Sequence, residues 1–401
     1  MLPRLRHTLD FLPSPFEDKP GLVIRDPFQF TNATLIIPPE LIECLAFYDG
    51  TQSPLDLRAH LVKLSGDLSA GEIETQLSGA LSEAGFLEDD HFLELRAVAE
   101  QAFAEDPVRV AAHAGGGYPE DAAELRSTFN GYLKSDPATS NQPVLAIAAP
   151  HVSPFGGVEA YRAAYSSLSP ADAERTFVIL GTSHYGMPER LGLTHKTFVT
   201  PYGEAVTDTR LVNQLAAKLG PAAQMEDYCH AIEHSIEFQI VFLQHLYGPR
   251  IKILPILCGS YHKSLLEGGL PENDDGVARI FGSLGELAAR EGDRLLWVLG
   301  VDMAHMGRRY GDSFNANANR NEMESVAEQD RGRIARMEAG DAQGFWERVR
   351  ENQDDLKWCG SAPIYTFMRS VPQARGELLH YQQWNIDEAS VVSFAGMRFH
   401  S

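Results

Sequence analysis

Four histidines, three carboxylates and one cysteine stand where this sequence could do chemistry. His151 closes the apolar run VLAIAAPH, His184 closes FVILGTSH, and Asp302 and His305 end LLWVLGVDMAH. Each run is rich in Val, Ile and Leu, the composition of a strand buried on both faces. A buried strand that finishes in His sets an imidazole at the sheet edge where α/β proteins build their sites. One such ring reads as a satisfied core residue. Several of them would each need a separate buried partner, which favours a shared site. Converging imidazoles suit a transition metal or acid–base chemistry.

The segment CHAIEHSIEFQ adds Glu233, His234 and Glu237 at the start of a helix. His230 and His234 are four apart and could share one helical face. No Glu follows the first His, so this is not the zinc-binding HExxH pattern. Glu233 and His234 read instead as groups that hydrogen-bond into a pocket or support a ligand from behind. His230 and His245 read as surface or packing residues. In LKWCGSAPIYTFM, Cys359 precedes a glycine and a helix, where a thiolate is favoured and can be nucleophile or metal ligand. The competing reading is a small buried hydrophobe, which Cys44, Cys229 and Cys258 receive more firmly.

The elements that must position these residues alternate. Helical patterns such as GGVEAYRAAYSSL, DTRLVNQLAAKL, SIEFQIVFLQHLYG and DGVARIFGSLGELAAR lie between the apolar runs. Residues 143–401 therefore read as an α/β domain with a mainly parallel sheet flanked by helices. Residues 1–20, rich in Pro and Phe, read as an irregular arm. Residues 21–98 read as a small α+β module. FTNATLIIPP is its strand, and ELIECLAFYDG, SPLDLRAHLVKL and SAGEIETQLSGALSEAGFL are its helices, with Ser53 as N-cap and Gly85 as C-cap. FLEDDHFLEL would then supply a hairpin, completing a winged-helix layout. Residues 99–142 read as a linker, in which the helix AAELRSTFNGYL sits between Gly115–Gly117 and KSDPATSNQP.

Composition narrows the partners. The 401 residues carry 34 Lys+Arg against 55 Asp+Glu, a net charge of −21, which repels phosphate backbones and anionic headgroups. Between Gly21 and Glu100 there are fourteen acidic residues and four basic ones, so the winged-helix layout lacks a DNA-binding face. No apolar stretch approaches the roughly 20 residues that span a bilayer. The start lacks a signal peptide's continuous apolar region. Four cysteines are too few for a disulfide framework, and the expected location is the cytoplasm.

Two resemblances follow from these motifs. DGTQSPLDLRAHL and LSEAGFLEDD, with the helix layout around them, resemble the small PqqD-like peptide-recognition fold. From about Pro143 onward, APH, ILGTSH, TPYGEAVTD, EHSIE, ILPILCG, VDMAHMG and WCGSAPI occur in the order of the Memo-like family. That family includes AmmeMemoRadiSam system protein B. The resemblance implies a fold similar to class III extradiol dioxygenases. It implies metal ligands at His151, His184 and Cys359, with Asp302 and His305 lining the same pocket and His305 as acid–base. Glu233, His234 and Glu237 match the family's Glu-His-Ser-Ile-Glu, and Ser183 falls beside them in the expected surrounding shell. Two departures stand out. His151-Val152-Ser153-Pro154 replaces the family's His-Ala-Gly-Tyr, and Cys359 stands where the dioxygenases use a carboxylate.

Two functions are expected. The first is a non-haem metal-dependent oxidoreductase of unknown substrate, with iron or copper, or alternatively zinc, held by two His and one Cys, and with His305 and Asp302 as its catalytic pair, His305 moving protons and Asp302 steering it. The second is a scaffold without catalysis, holding a small molecule or peptide. Through the resemblance, its partner would be a radical S-adenosylmethionine protein, because this chain has no CxxxCxxC motif of its own. A zinc hydrolase would need an activated water beside Glu233 or Asp302.

Overall fold

The computed structural model describes residues 1–16, 18–66, 70–133 and 143–401. The chain divides into two compact units, Met1–Glu105 and Asp106–Ser401. The expected linker segment KSDPATSNQP lies outside the described residues except for its last proline.

In the first unit, β1 (Asp10–Pro13), β2 (Leu22–Arg25) and β3 (Thr34–Ile37) form an antiparallel sheet in that order. The stretch expected as an irregular arm thus contributes a strand. Arg6 anchors it: its guanidinium is buried against Asp26 at 2.9 Å and lies over the Phe92 ring. After a 3-10 turn at Pro39–Phe47 come α1 (Pro54–Ser65), α2 (Ala70–Glu83) and α3 (Asp90–Glu105). Ser53 caps α1 in a reciprocal box with Asp56, as its position suggests, and Gly85 ends α2 at a left-handed φ of 70°. The expected wing is absent from these residues. Leu87 makes a single antiparallel bridge to Leu5, and the Asp89 carboxylate then accepts the Phe92 N–H and starts α3. The sheet of this unit comes before its helices, not after them.

The second unit opens with β4 (Val108–Val110) and α4 (Ala122–Tyr132), so residues 106–133 of the span expected as linker belong to it, while 99–105 complete α3 of the first unit. Its further strands are β5 (Ala146–Ala149), β6 (Thr176–Thr182), β7 (Leu191–Leu193), β8 (Thr197–Thr200), β9 (Gly203–Thr207), β10 (Ala223–Met225), β11 (Lys252–Cys258), β12 (Leu295–Gly300), β13 (His305–Gly307), β14 (Arg375–Asp387) and β15 (Ser390–His400). The helices between them are α5 (Val158–Tyr165), α6 (Thr209–Leu219), α7 (Cys229–Ile232), α8 (His234–Tyr247), α9 (His262–Glu267), α10 (Asp275–Glu291), α11 (Glu322–Ala339), α12 (Ala342–Arg350) and α13 (Ser361–Ser370). The sheet runs β13-β15-β5-β12-β6-β11-β9-β8-β4, and the contiguous β5-β12-β6-β11 centre is parallel.

Strand side chains alternate between two cores, as the pleat requires. In β12, Leu295, Trp297 and Leu299 face the layer of α6, α10, α12 and α13, while Leu296 and Val298 face α4, α5 and α8. Val178 and Leu180 against Phe177 and Ile179 repeat the pattern in β6. Burial on both faces explains why these strands read as unbroken apolar runs. The adjacency of β5, β12 and β6 places the residues after their carboxyl ends, His151, Asp302 and His184, at one edge.

Candidate metal centre

Three imidazoles meet at that edge. The rings of His151, His184 and His234 are each 5.0 Å from the other two, and one ligand atom from each lies within 4.8 Å of the others. Cys359 closes the group: its Sγ is 3.2 Å from His151 Nε2, and it also hydrogen-bonds to His184.

Each ring is held from behind. The His151 Nδ1–H donates to the Gly300 carbonyl at 2.9 Å, which directs Nε2 toward Cys359. The Asp302 carboxylate accepts the His151 backbone N–H at 2.9 Å, and its other oxygen is 3.5 Å from Nε2. The Glu233 carboxylate takes His184 Nδ1 at 3.0 Å and the His184 backbone N–H at 3.1 Å. Glu233 also caps α8 by accepting the His234 and Ser235 N–H groups. Its backbone is extended, so α7 and α8 are separate helices and His230 does not share a helical face with His234. His230 packs inward instead, with Nε2 on the Gly192 carbonyl.

Two glycines let α8 start so close to the strands. A side chain at Gly181 would meet the Ser235 hydroxyl, and one at Gly300 would meet the Ser235 carbonyl. The Cys359 turn docks in the same way. Gly360 donates its N–H to the Asp302 carbonyl at 3.1 Å, and the Thr182 hydroxyl donates to the Cys359 carbonyl at 3.0 Å.

The charges around the rings sort them. Burial opposes a charge on His151, but Asp302 and then Cys359 outweigh it and lift the ring to about 9. Burial is likewise outweighed at His184, chiefly by Glu233, and that ring is held well above the ordinary range. At His234 burial wins: with the neighbouring rings it keeps the imidazole neutral against the pull of Glu233. Burial would raise the Cys359 thiol, yet His151, His305 and the hydrogen bonds to the rings bring it down to about 5.

The other expected residues lie further out. His305 is beyond the end of β12, its Nδ1 on the Met303 carbonyl at 3.0 Å and its ring edge-on to Tyr310. Ser183 is buried beside Cys229. Glu237 is fully buried in α8 and serves as a clamp: it pairs with Arg109 and accepts the Ala112 and His113 N–H groups and the Tyr118 hydroxyl. Arg109 also donates to the His230 and Glu233 carbonyls, so this segment braces the turn that carries His234. Sequence reasoning treated 99–142 as linker and missed Arg109, His113 and Tyr118. The available signal was Glu237 itself, a carboxylate amid an apolar helix that requires a buried cation.

The Memo-like protein family model matches residues 109–398, which contain every residue of this centre. The chain belongs to the Memo-like family. A MEMO1 family protein of Aquifex aeolicus is 25% identical over 390 residues, 96% of this chain and 97% of the relative. That span necessarily takes in most of the first unit. A MEMO1 family protein of Thermococcus kodakarensis is 30% identical over 305 residues, 73% of this chain and 99% of the relative. One from Thermus thermophilus is 27% identical over 314 residues, covering 77% and 84%. Among the described residues, no helix is long and apolar enough to cross a membrane.

Proposed function

We propose that this Memo-like chain is a non-haem metal-dependent oxidoreductase that holds one iron or copper ion between His151, His184 and Cys359. The observation that carries the reading is the meeting of two back-bonded imidazoles, buried His151 and partly exposed His184, with a thiol whose charged form is favoured. The donor set fits such an ion: imidazole suits iron and copper, and thiolate adds softness. When bound, the ion would supply Lewis acidity and a redox centre to an oxygenated substrate.

The chain's own residues would then orient that substrate and move its protons. His234 faces the other two rings and would hydrogen-bond the bound molecule. His305, fixed through Nδ1 to Met303, is the acid–base group on the Cys359 side. Asp302 holds the His151 backbone and ring in place.

One observation favours a second ligand set, since one ligand atom each of His151, His184 and His234 lies within 4.8 Å of the others, near enough to close on one ion. Metal analysis of protein purified without added metal separates the two. On the proposed set, His151→Ala, His184→Ala and Cys359→Ser lose the ion while His234→Ala keeps it. Retention in Cys359→Ser together with loss in His234→Ala would replace the thiol by the third imidazole.

A further inference from the structure

Cys359 follows a loop whose backbone is costly to hold. Asn352, Gln353, Asp354 and Lys357 have φ values of 52°, 56°, 57° and 54°, the left-handed region that non-glycine residues adopt only when their surroundings impose it. The imposing groups come from the middle of α11. Asp330 there is fully buried, and its Oδ1 accepts the Trp358 indole N–H at 2.6 Å. Its Oδ2 accepts the Tyr381 hydroxyl at 2.7 Å and the Ser393 hydroxyl at 2.6 Å.

Ser393 extends the reach of this carboxylate to the other side of the site. Its hydroxyl oxygen accepts the Ala304 N–H at 2.9 Å, and its backbone pairs with Met303 and Ala304, between Asp302 and His305. One turn along α11, Arg333 pairs with Asp354 at 2.8 Å and lies over the Trp358 ring. The second Asp354 oxygen accepts the Trp358 N–H at 3.0 Å. The His305 N–H donates to the Leu356 carbonyl at 2.9 Å, which ties the two loops directly.

We infer that Asp330 is a positioning residue, setting the Cys359 thiol against the imidazoles through Trp358 and the Asp302–His305 loop through Ser393. For stability alone, a wholly apolar cluster in place of the carboxylate and its three donors would serve as well. What the carboxylate adds is direction: three donors from three parts of the chain converge on two oxygens. The role assigned to the thiol rests on the ligand set proposed above, whereas the hydrogen-bond geometry does not.

The test titrates cobalt(II) into wild type, Asp330→Asn, Trp358→Phe, the double variant and Met337→Ala. Met337 is a buried core residue two turns further along α11 and controls for general loss of stability. The readouts are cobalt affinity and the thiolate-to-cobalt charge-transfer absorption. Either single variant should weaken affinity by about 10- to 100-fold and reduce the absorption, as loss of a ligand's support does. The double variant should be no worse than the worse single, because the one hydrogen bond that Trp358→Phe removes is part of what Asp330→Asn disturbs. Met337→Ala should keep both signals.

Single variants within about twofold of wild type, a double variant that sums the two, or an equal loss in Met337→Ala would each overturn the proposal. If wild type shows no thiolate absorption, the ligand assignment of Cys359 fails separately. The positioning role is then decided by iodoacetamide alkylation of Cys359 in metal-free protein. A change of about tenfold in Trp358→Phe upholds it, and equal rates overturn it.

Discussion

The imidazole side and the thiol side of the centre are held by different means. His151 and His184 each stand two residues past a buried parallel strand and inherit their places from the sheet. Cys359 has no strand behind it and sits after a run of left-handed residues fixed by side chains of α11. A ligand on a strand end needs little beyond a hydrogen bond to orient its ring. A ligand on a loop needs dedicated polar contacts, and those contacts are where its geometry can be altered without touching the core.

The largest effect expected on the imidazole side comes from Arg109→Ala. It leaves the Glu237 carboxylate buried without its cation, a loss of about 3–5 kcal/mol, measurable by urea denaturation. A loss under about 1 kcal/mol would mean that the sheet alone holds the turn carrying His234, and would sharpen the contrast between the two sides.

Glu233→Gln should lower metal affinity by about 10- to 100-fold, since the carboxylate orients and polarises His184. The same pair sets a pH window in metal-free protein. Glu233 is held well below its ordinary range: burial opposes this, and His184 outweighs burial. Its contribution is therefore present above the unfolded carboxyl value and lost as pH falls through the folded one. His184 is raised, so its contribution is full below its unfolded value and lost as pH rises through the folded one. The pair thus stabilises most between roughly pH 4.5 and 6.5. Thermal melts across pH should show this maximum in wild type and a flatter profile in Glu233→Gln.

Gly300→Ala should cost about 1–3 kcal/mol by crowding the Ser235 carbonyl, and should weaken metal binding as α8 is pushed away. Unchanged metal affinity in a destabilised variant would show that the helix start is not held by this contact. The smallest effect is expected outside the centre. Ser53→Ala removes the α1 capping box for about 1 kcal/mol and should leave metal content unchanged.

The same contrast explains what was legible in the sequence. VLAIAAPH, FVILGTSH and LLWVLGVD announce buried strands because both faces are covered, so the sequence alone places His151, His184 and Asp302 at one edge. Ser53 and Gly85 were legible because caps are local chemistry. The wing was not: FLEDDHFLEL has helix formers behind Asp89, and only the cap at that residue settles the choice. The segment after Glu105 looked like linker because its glycines are local signals, whereas its pairing with Glu237 spans more than a hundred residues. His234 reads as a supporting group in sequence, because nothing local reveals that Gly181 and Gly300 admit it beside the other rings. Asp330 was invisible for the same reason, since one acid on a charged helix looks like a solvated face until its three donors are seen.

X-ray absorption on the metal-loaded protein tests the central claim most directly. The proposed set should give one sulfur scatterer near 2.3 Å together with nitrogen near 2.0–2.1 Å, and Cys359→Ser should remove the sulfur. A first shell of nitrogen and oxygen alone in wild type would contradict a centre built from His151, His184 and Cys359.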